Sequence, residues 1–189
     1  MFKNKIPVFE VFSIPISGAK WLKSLCIHKF QLSNSTEGQW ESINEGDSPT
    51  VLICALTRDK RMILVRMFRF PVEEFCIELP GGQLKENENG EIGVSREFTE
   101  ETGYVPGKIS KLCRCFAYNS KTNKKFEIFL AEDCEERRDF NLDEAEKYSG
   151  LEVNLYSIPE IKKRITLGEI IFDPPISHAI MALEGLKLL

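Results

Sequence analysis

Histidine is scarce in this chain of 189 residues: only His28 and His178 occur. The six cysteines, Cys26, Cys54, Cys76, Cys113, Cys115 and Cys134, include no Cys-x-x-Cys pair. Together these gaps argue against a zinc site. Twelve glycines and nine prolines are too few for collagen-like or low-complexity sequence. No stretch of about 18 apolar residues occurs, so no membrane-spanning helix and no membrane partner are expected. Residues 1–6 lack the apolar run of a signal peptide. Basic residues are not in excess either: 25 Lys+Arg stand against 29 Asp+Glu, for a net charge of −4. A protein that captures nucleic acid by charge needs the opposite balance, so no nucleic-acid partner is expected. Reduced thiols and the absence of a leader give a cytoplasmic location as the expectation.

What the chain has is a mixed order of elements. Residues 21–31 partly alternate as a strand, 32–38 form a turn and 39–43 a second strand. Gly46-Asp47-Ser48-Pro49 then marks a boundary, giving an antiparallel β appendage over 1–48 and a main domain over 49–189. The segment 50–57 (TVLICALT) is almost wholly apolar, as expected of a strand covered on both faces. Strands follow at 62–68 and 75–79, the second stopped by Pro80-Gly81-Gly82. A helix is expected over 91–102 with Gly103 as its stop, then strands at 111–118 and 125–131. The charge-dense segment 132–150 reads as a loop, 151–157 as a strand, and Ile158-Pro159 as the start of a short helix. Pro175 opens a last amphipathic helix whose apolar positions include Ile176, Ile180, Met181 and Leu183. This order predicts an α/β (α+β) fold around a mixed sheet.

The chemistry lies in residues 82–104: Gly82, five residues, Glu88, seven residues, Arg96-Glu97-Phe98, one residue, Glu100-Glu101, one residue, Gly103-Tyr104. Glu97, Glu100 and Glu101 stand at i, i+3 and i+4 and share one helix face. Like charges at that spacing destabilise an isolated helix. Clustered carboxylates do suit hard divalent cations, and Mg²⁺ in particular is held by one or two of them together with substrate phosphates. Seven fixed positions at ordinary residue usage arise by chance with a probability of roughly 10⁻⁶ or less.

This segment resembles the Nudix box, Gly-x5-Glu-x7-Arg-Glu-U-x-Glu-Glu-x-Gly-U with U bulky and apolar. Phe98 and Tyr104 fill the U positions, and Gly93-Val94 stands where a small alanine-like pair is usual. The resemblance implies an α/β/α sandwich that hydrolyses nucleoside diphosphates linked to another group. By the same resemblance Glu97, Glu100 and Glu101 hold Mg²⁺ (or Mn²⁺), the backbone carbonyl of Gly81 is a further ligand, and Arg96 braces the acidic side chains.

The preceding stretch, Arg69-Phe70-Pro71 and then Glu78-Leu79-Pro80-Gly81-Gly82, is similar to that of ADP-ribose pyrophosphatases, where the arginine contacts substrate; here that points to Arg69. Lys20-Trp21-Leu22 and Gln39-Trp40-Glu41 resemble the paired tryptophan segments of members that dimerise by exchanging an N-terminal sheet. Trp21 and Trp40 are therefore expected to bind the base, and a homodimer is expected. A downstream acidic loop in that branch carries the general base, which leaves Glu146, favoured over Glu144. The lysines of the 118–125 loop either reach an additional phosphate or decorate a hairpin tip. The expected substrate is a small nucleoside diphosphate derivative, ADP-ribose or another nucleotide sugar, cleaved to a nucleoside monophosphate and a sugar phosphate. Dinucleoside polyphosphates, dNTPs, capped RNA, or a silent ADP-ribose-binding module are the alternatives.

Overall fold

A computed structural model describes residues 8–18, 22–31, 35–137, 141–169 and 171–188. These described residues fall into two compact units, one within 1–48 and 116–125, the other within 49–115 and 126–189.

In the first unit β1 (Val8–Pro15), β2 (Ser24–Gln31) and β3 (Glu37–Asn44) make an antiparallel sheet in that order. Strand β1 was not anticipated. Its apolar residues fall at 8, 9, 11, 12 and 14, a spacing of neither two nor 3.6, and the pairing with β2 shifts register between Val8 and Glu10. The 116–125 segment joins this unit through Ile43 N–H, which donates to the Lys121 carbonyl at 2.7 Å, and through the Asn123 side chain. Lys124 is buried there, so it does not decorate a solvent-facing tip.

The second unit is built on β4 (Thr50–Leu56), β5 (Arg61–Arg69), β6 (Glu74–Glu78), β7 (Gly81–Gln83), β9 (Lys108–Phe116), β10 (Lys125–Glu132) and β12 (Glu152–Ser157). The sheet runs β12-β5-β4-β10-β9, with β4 and β10 parallel and β5 antiparallel to both its neighbours. Helix α1 (Gly90–Thr102) covers one face, burying Val94 and Phe98 against Val51, Ile53, Ala55 and Ile63. Helices α3 (Ile158–Thr166) and α4 (Pro174–Gly185) cover the other, setting Ile161, Ile176, Ile180 and Leu183 against Leu52, Cys54, Leu56 and Leu64. Alternate residues of β4 therefore enter two cores, which is why that strand is apolar throughout, and the fold is the expected α/β/α sandwich. A fully buried side chain such as Phe98 contributes on the order of 2–3 kcal/mol to such a core. Met181, expected on the apolar face of α4, is exposed instead: Ile176, Ala179, Ile180 and Leu183 complete the i, i+3, i+4, i+7 stripe, and Met181 lies a further 100° round.

Two local features matter for the site. Strands β4 and β5 pair only at Ala55–Ile63 and Leu56–Met62 and then part, β6 continuing the ladder with β5 and β7 with β4. The Leu79-Pro80 link crosses the gap, and Ile53 N–H donates to the Pro80 carbonyl at 2.9 Å. Gly81 follows at φ 146°, where a Cβ would stand 2.1 Å from the Val51 carbonyl oxygen. Only glycine fits that backbone and that approach. We expect Gly81→Ala to cost about 2 kcal/mol or more in urea unfolding; a change within about 0.5 kcal/mol would show that the turn relaxes freely.

The segment expected as a loop over 132–150 contains β11 (Glu135–Glu136), paired with β8 (Tyr104–Val105), and a short helix α2 (Glu144–Tyr148). Its start is a capping box: Asp143 accepts from Glu146 N–H, and Glu146 accepts from Asp143 N–H. The Asp-x-x-Glu spacing is the signal that a reading by charge density overlooks.

Candidate active site

Asn89 caps α1 by accepting from Glu91 N–H at 2.8 Å, and Gly103 ends it in the left-handed conformation at φ 68°. Between these stops the helix presents Arg96, Glu97, Glu100 and Glu101. Arg96 is the hub. Its guanidinium forks onto Glu88 at 2.9 Å through Nε and an Nη, and reaches Glu97 at 2.9 Å and Glu100 at 3.1 Å. The loop ahead of the helix folds back to bring Glu88 there, Lys85 N–H donating to the Glu88 carboxylate at 2.9 Å. Arg96 and that N–H hold the Glu88 carboxyl down at about 2. Gly93 is explained by the same fold-back, since a Cβ would meet Leu84 Cδ2 at 2.2 Å and Glu88 Oε2 at 2.9 Å.

Glu101 points the other way, into the protein. It is 4% exposed and accepts the Gly81 N–H at 2.8 Å. Burial pushes its carboxyl well above the usual range against that N–H, and the charges of Glu146 and Glu97 push it further. Burial likewise raises Glu97, opposed by Arg96 and reinforced by Glu100 and Glu146. A Cβ on Gly82 would lie 2.6 to 2.8 Å from the Glu97 carboxylate, so the missing side chain is what seats that group against the turn. Helix α2 brings in Glu146: Asn141 N–H is bonded to the Glu100 carbonyl at 2.9 Å, just ahead of the capping box. Burial raises the Glu146 carboxyl, the Asp143 N–H opposing and Asp143 and Glu100 reinforcing. Glu144 is exposed.

Among the described residues no three His, Cys, Asp or Glu side chains are already gathered as a cation cage; Arg96 shares out Glu97 and Glu100 instead. The donor set nevertheless fits a hard divalent cation. It is all carboxylate oxygen, it includes a buried carboxylate met by one amide, and its members raise one another's proton affinity. The site thus offers acidic oxygens beside a glycine turn, with a part-buried carboxylate on a short helix near enough to act on them electrostatically.

The NUDIX domain family model matches residues 47–171, well over half of the chain. The chain belongs to the Nudix family. It is 29% identical over 163 residues to an ADP-ribose pyrophosphatase of Bacillus subtilis, covering 85% of this chain and 84% of that protein. It is 28% identical over 200 residues to an uncharacterized Nudix hydrolase of Schizosaccharomyces pombe, covering 98% and 97%. A crystal structure of an ADP compounds hydrolase superposes with a TM-score of 0.74 over 97% of this chain and 93% of that one, at 17% identity. The protein is a Nudix hydrolase.

Within this Nudix fold Arg69, at the end of β5, forks through Nε and an Nη onto Glu78 of β6. A cavity of about 100 Å³ lies beside the pair, lined also by Gly81, Glu101 and Asp173. Sequence reasoning missed Asp173, which stands about 70 residues beyond the box with no motif around it. In the first unit Trp40 is half exposed; its indole N–H donates to the Ser120 carbonyl at 2.8 Å, and the Lys121 ammonium lies 5.8 Å from its ring centre. Trp40 borders a recess of about 720 Å³ with His28, Phe30, Phe116 and Thr122. Trp21 lies outside the described residues.

The contact between Gly82 and Glu97 separates activity from stability. Gly82→Ala meets only the end of a flexible side chain, so we expect a stability loss below about 1 kcal/mol. The displaced carboxylate should lower turnover about 10²-fold. Steady-state rates and thermal melts of the same preparation check both halves.

Proposed function

We propose that this Nudix hydrolase cleaves the pyrophosphate link of ADP-ribose or another nucleoside diphosphate sugar, giving a nucleoside monophosphate and a sugar phosphate. The observation that carries the reading is the pairing of the Glu97–Glu100–Glu101 face with Glu101 seated on the Gly81 amide, next to the Arg69–Glu78 cavity. The similarity to an ADP-ribose pyrophosphatase of Bacillus subtilis supports the substrate class.

Glu97, Glu100, Glu101 and the Gly81 carbonyl would hold Mg²⁺, or Mn²⁺ in its place. The ion would neutralise the diphosphate and lower the pKa of a bound water. The chain's own side chains do the rest. Arg96 keeps Glu97 and Glu100 together on the helix face. Arg69, held flat by Glu78, contacts the substrate. Glu146 takes the proton of the attacking water: its burial and acidic neighbours raise its affinity toward that of a useful base. The exposed indole face of Trp40 stacks on the base, as flat aromatic surfaces do. The N-terminal sheet exposes Val11, Phe12 and Ile14, which we assign to the homodimer contact. Six free cysteines support a cytoplasmic location as part of the same proposal.

Incubation with Mg²⁺ and a panel of diphosphate compounds, followed by phosphatase and phosphate detection, tests the substrate class. Nucleotide sugars should be cleaved in preference to dNTPs and dinucleoside polyphosphates, and no turnover on any nucleotide sugar would refute it. Glu97→Gln should abolish turnover with the fold intact, and activity above a tenth of wild type contradicts the metal assignment. Glu146→Gln should lower kcat about 10²- to 10⁴-fold, the range of general-base catalysis, with KM little changed. An unchanged kcat removes Glu146 from the mechanism.

A further inference from the structure

Asp173 occupies a position that helix capping does not explain. It is the N-cap of α4, yet its side chain makes no cap hydrogen bond. The next two residues, Pro174 and Pro175, have no N–H to offer, so an N-cap carboxylate has little to accept here. The backbone fixes the residue all the same. Ile77 N–H donates to the Ile171 carbonyl at 2.7 Å, and Asp173 N–H donates to the Ile77 carbonyl at 2.9 Å. Residues 171–173 thereby run beside β6, and Asp173 comes to rest next to Glu78, lining the same cavity as Arg69, Gly81 and Glu101.

The chemistry of that cavity selects its occupant. Glu78 already takes two of the Arg69 donors, and Asp173 is a second carboxylate acting on the same guanidinium. The trio carries net negative charge, so it repels phosphate oxygens and favours hydrogen-bond donors. Burial, and then the charge of Glu78, push the Asp173 carboxyl up to about 6 against the pull of Arg69. The cavity is small, about 100 Å³, and Leu52, Val65, Met67, Leu79 and Phe126 line it beside the polar groups. Acceptor oxygens against an apolar wall suit the hydroxyl-bearing edge of a sugar.

We infer that Asp173 is a specificity-determining residue, which with Glu78 accepts hydrogen bonds from hydroxyls of the sugar joined to the diphosphate. The inference rests on the nucleotide-sugar reading above and sharpens it. Phosphate groups go to the α1 carboxylate side, where the divalent cation of the proposed reaction would neutralise both, and sugar hydroxyls go to the Arg69–Glu78–Asp173 side, which has no such cation.

The test compares ADP-ribose with the methyl ester of ADP, which keeps the diphosphate and lacks the sugar, using wild type, Asp173→Ala and Asp173→Asn with Mg²⁺. On ADP-ribose, Asp173→Ala should raise KM about tenfold or more with kcat within about threefold. Asp173→Asn, which keeps one acceptor oxygen, should fall between the two. On the methyl ester, KM (or Ki, where it is not turned over) should be unchanged in both variants. An equal change on both compounds, or no change on ADP-ribose, overturns the assignment. If Asp173→Ala does not fold, the Asp173→Asn comparison decides alone. A wild type that cleaves no nucleotide sugar overturns the functional reading itself and this assignment with it, an outcome distinct from a variant that treats both compounds alike.

Discussion

Four carboxylates on and beside one helix have to be kept within reach of one another although each repels the rest, and the arrangement depends on a single guanidinium. Arg96 bonds Glu88, Glu97 and Glu100 together. Glu88 can serve because the loop from Lys85 folds back onto the helix, and the loop folds back because Gly93 leaves room for Leu84 and Glu88. A mid-helix glycine that costs about 1 kcal/mol in propensity is in this way tied to the charge network. Glu101 lies outside the reach of Arg96 and has the Gly81 amide instead, so the helix and the glycine turn are two halves of one acidic site.

The sheet supplies the other constraint. Because β4 and β5 pair at one end and separate at the other, the link between β6 and β7 can pass between them and deliver Gly81 and Gly82 to the helix. The same separation leaves the cavity edged by Glu78, Arg69 and Asp173. The acidic helix and this cavity thus share Gly81 and Glu101 as their common wall.

Much of this was legible in the sequence. The unbroken apolarity of 50–57 foretold a strand with a core on each side, because that follows from local period; the spacing of Glu97, Glu100 and Glu101 put all three on one helix, but Glu101 turns inward to the Gly81 amide. Strand β1 was not legible, since its register shift breaks the alternation. Helix α2 was hidden inside a charged stretch, where composition masks a two-residue capping signal. Met181 was misplaced by one position on a helix, a 100° error. Asp173 could not be found from sequence at all: its proximity to Glu78 comes from two backbone hydrogen bonds between segments almost 100 residues apart. Local pattern reports faces and stops, while a site assembled from distant segments needs the fold.

The central claim is that the repelling carboxylates are built to be relieved by a divalent cation, and thermal unfolding with and without Mg²⁺ tests it most directly. A ligand that binds only the folded state stabilises it. Wild type should therefore melt higher as Mg²⁺ is added. Glu101→Gln, with one buried charge removed, should melt higher than wild type without metal and should lose the Mg²⁺-dependent rise. An equal Mg²⁺ response in both proteins, or none in wild type, would contradict the account.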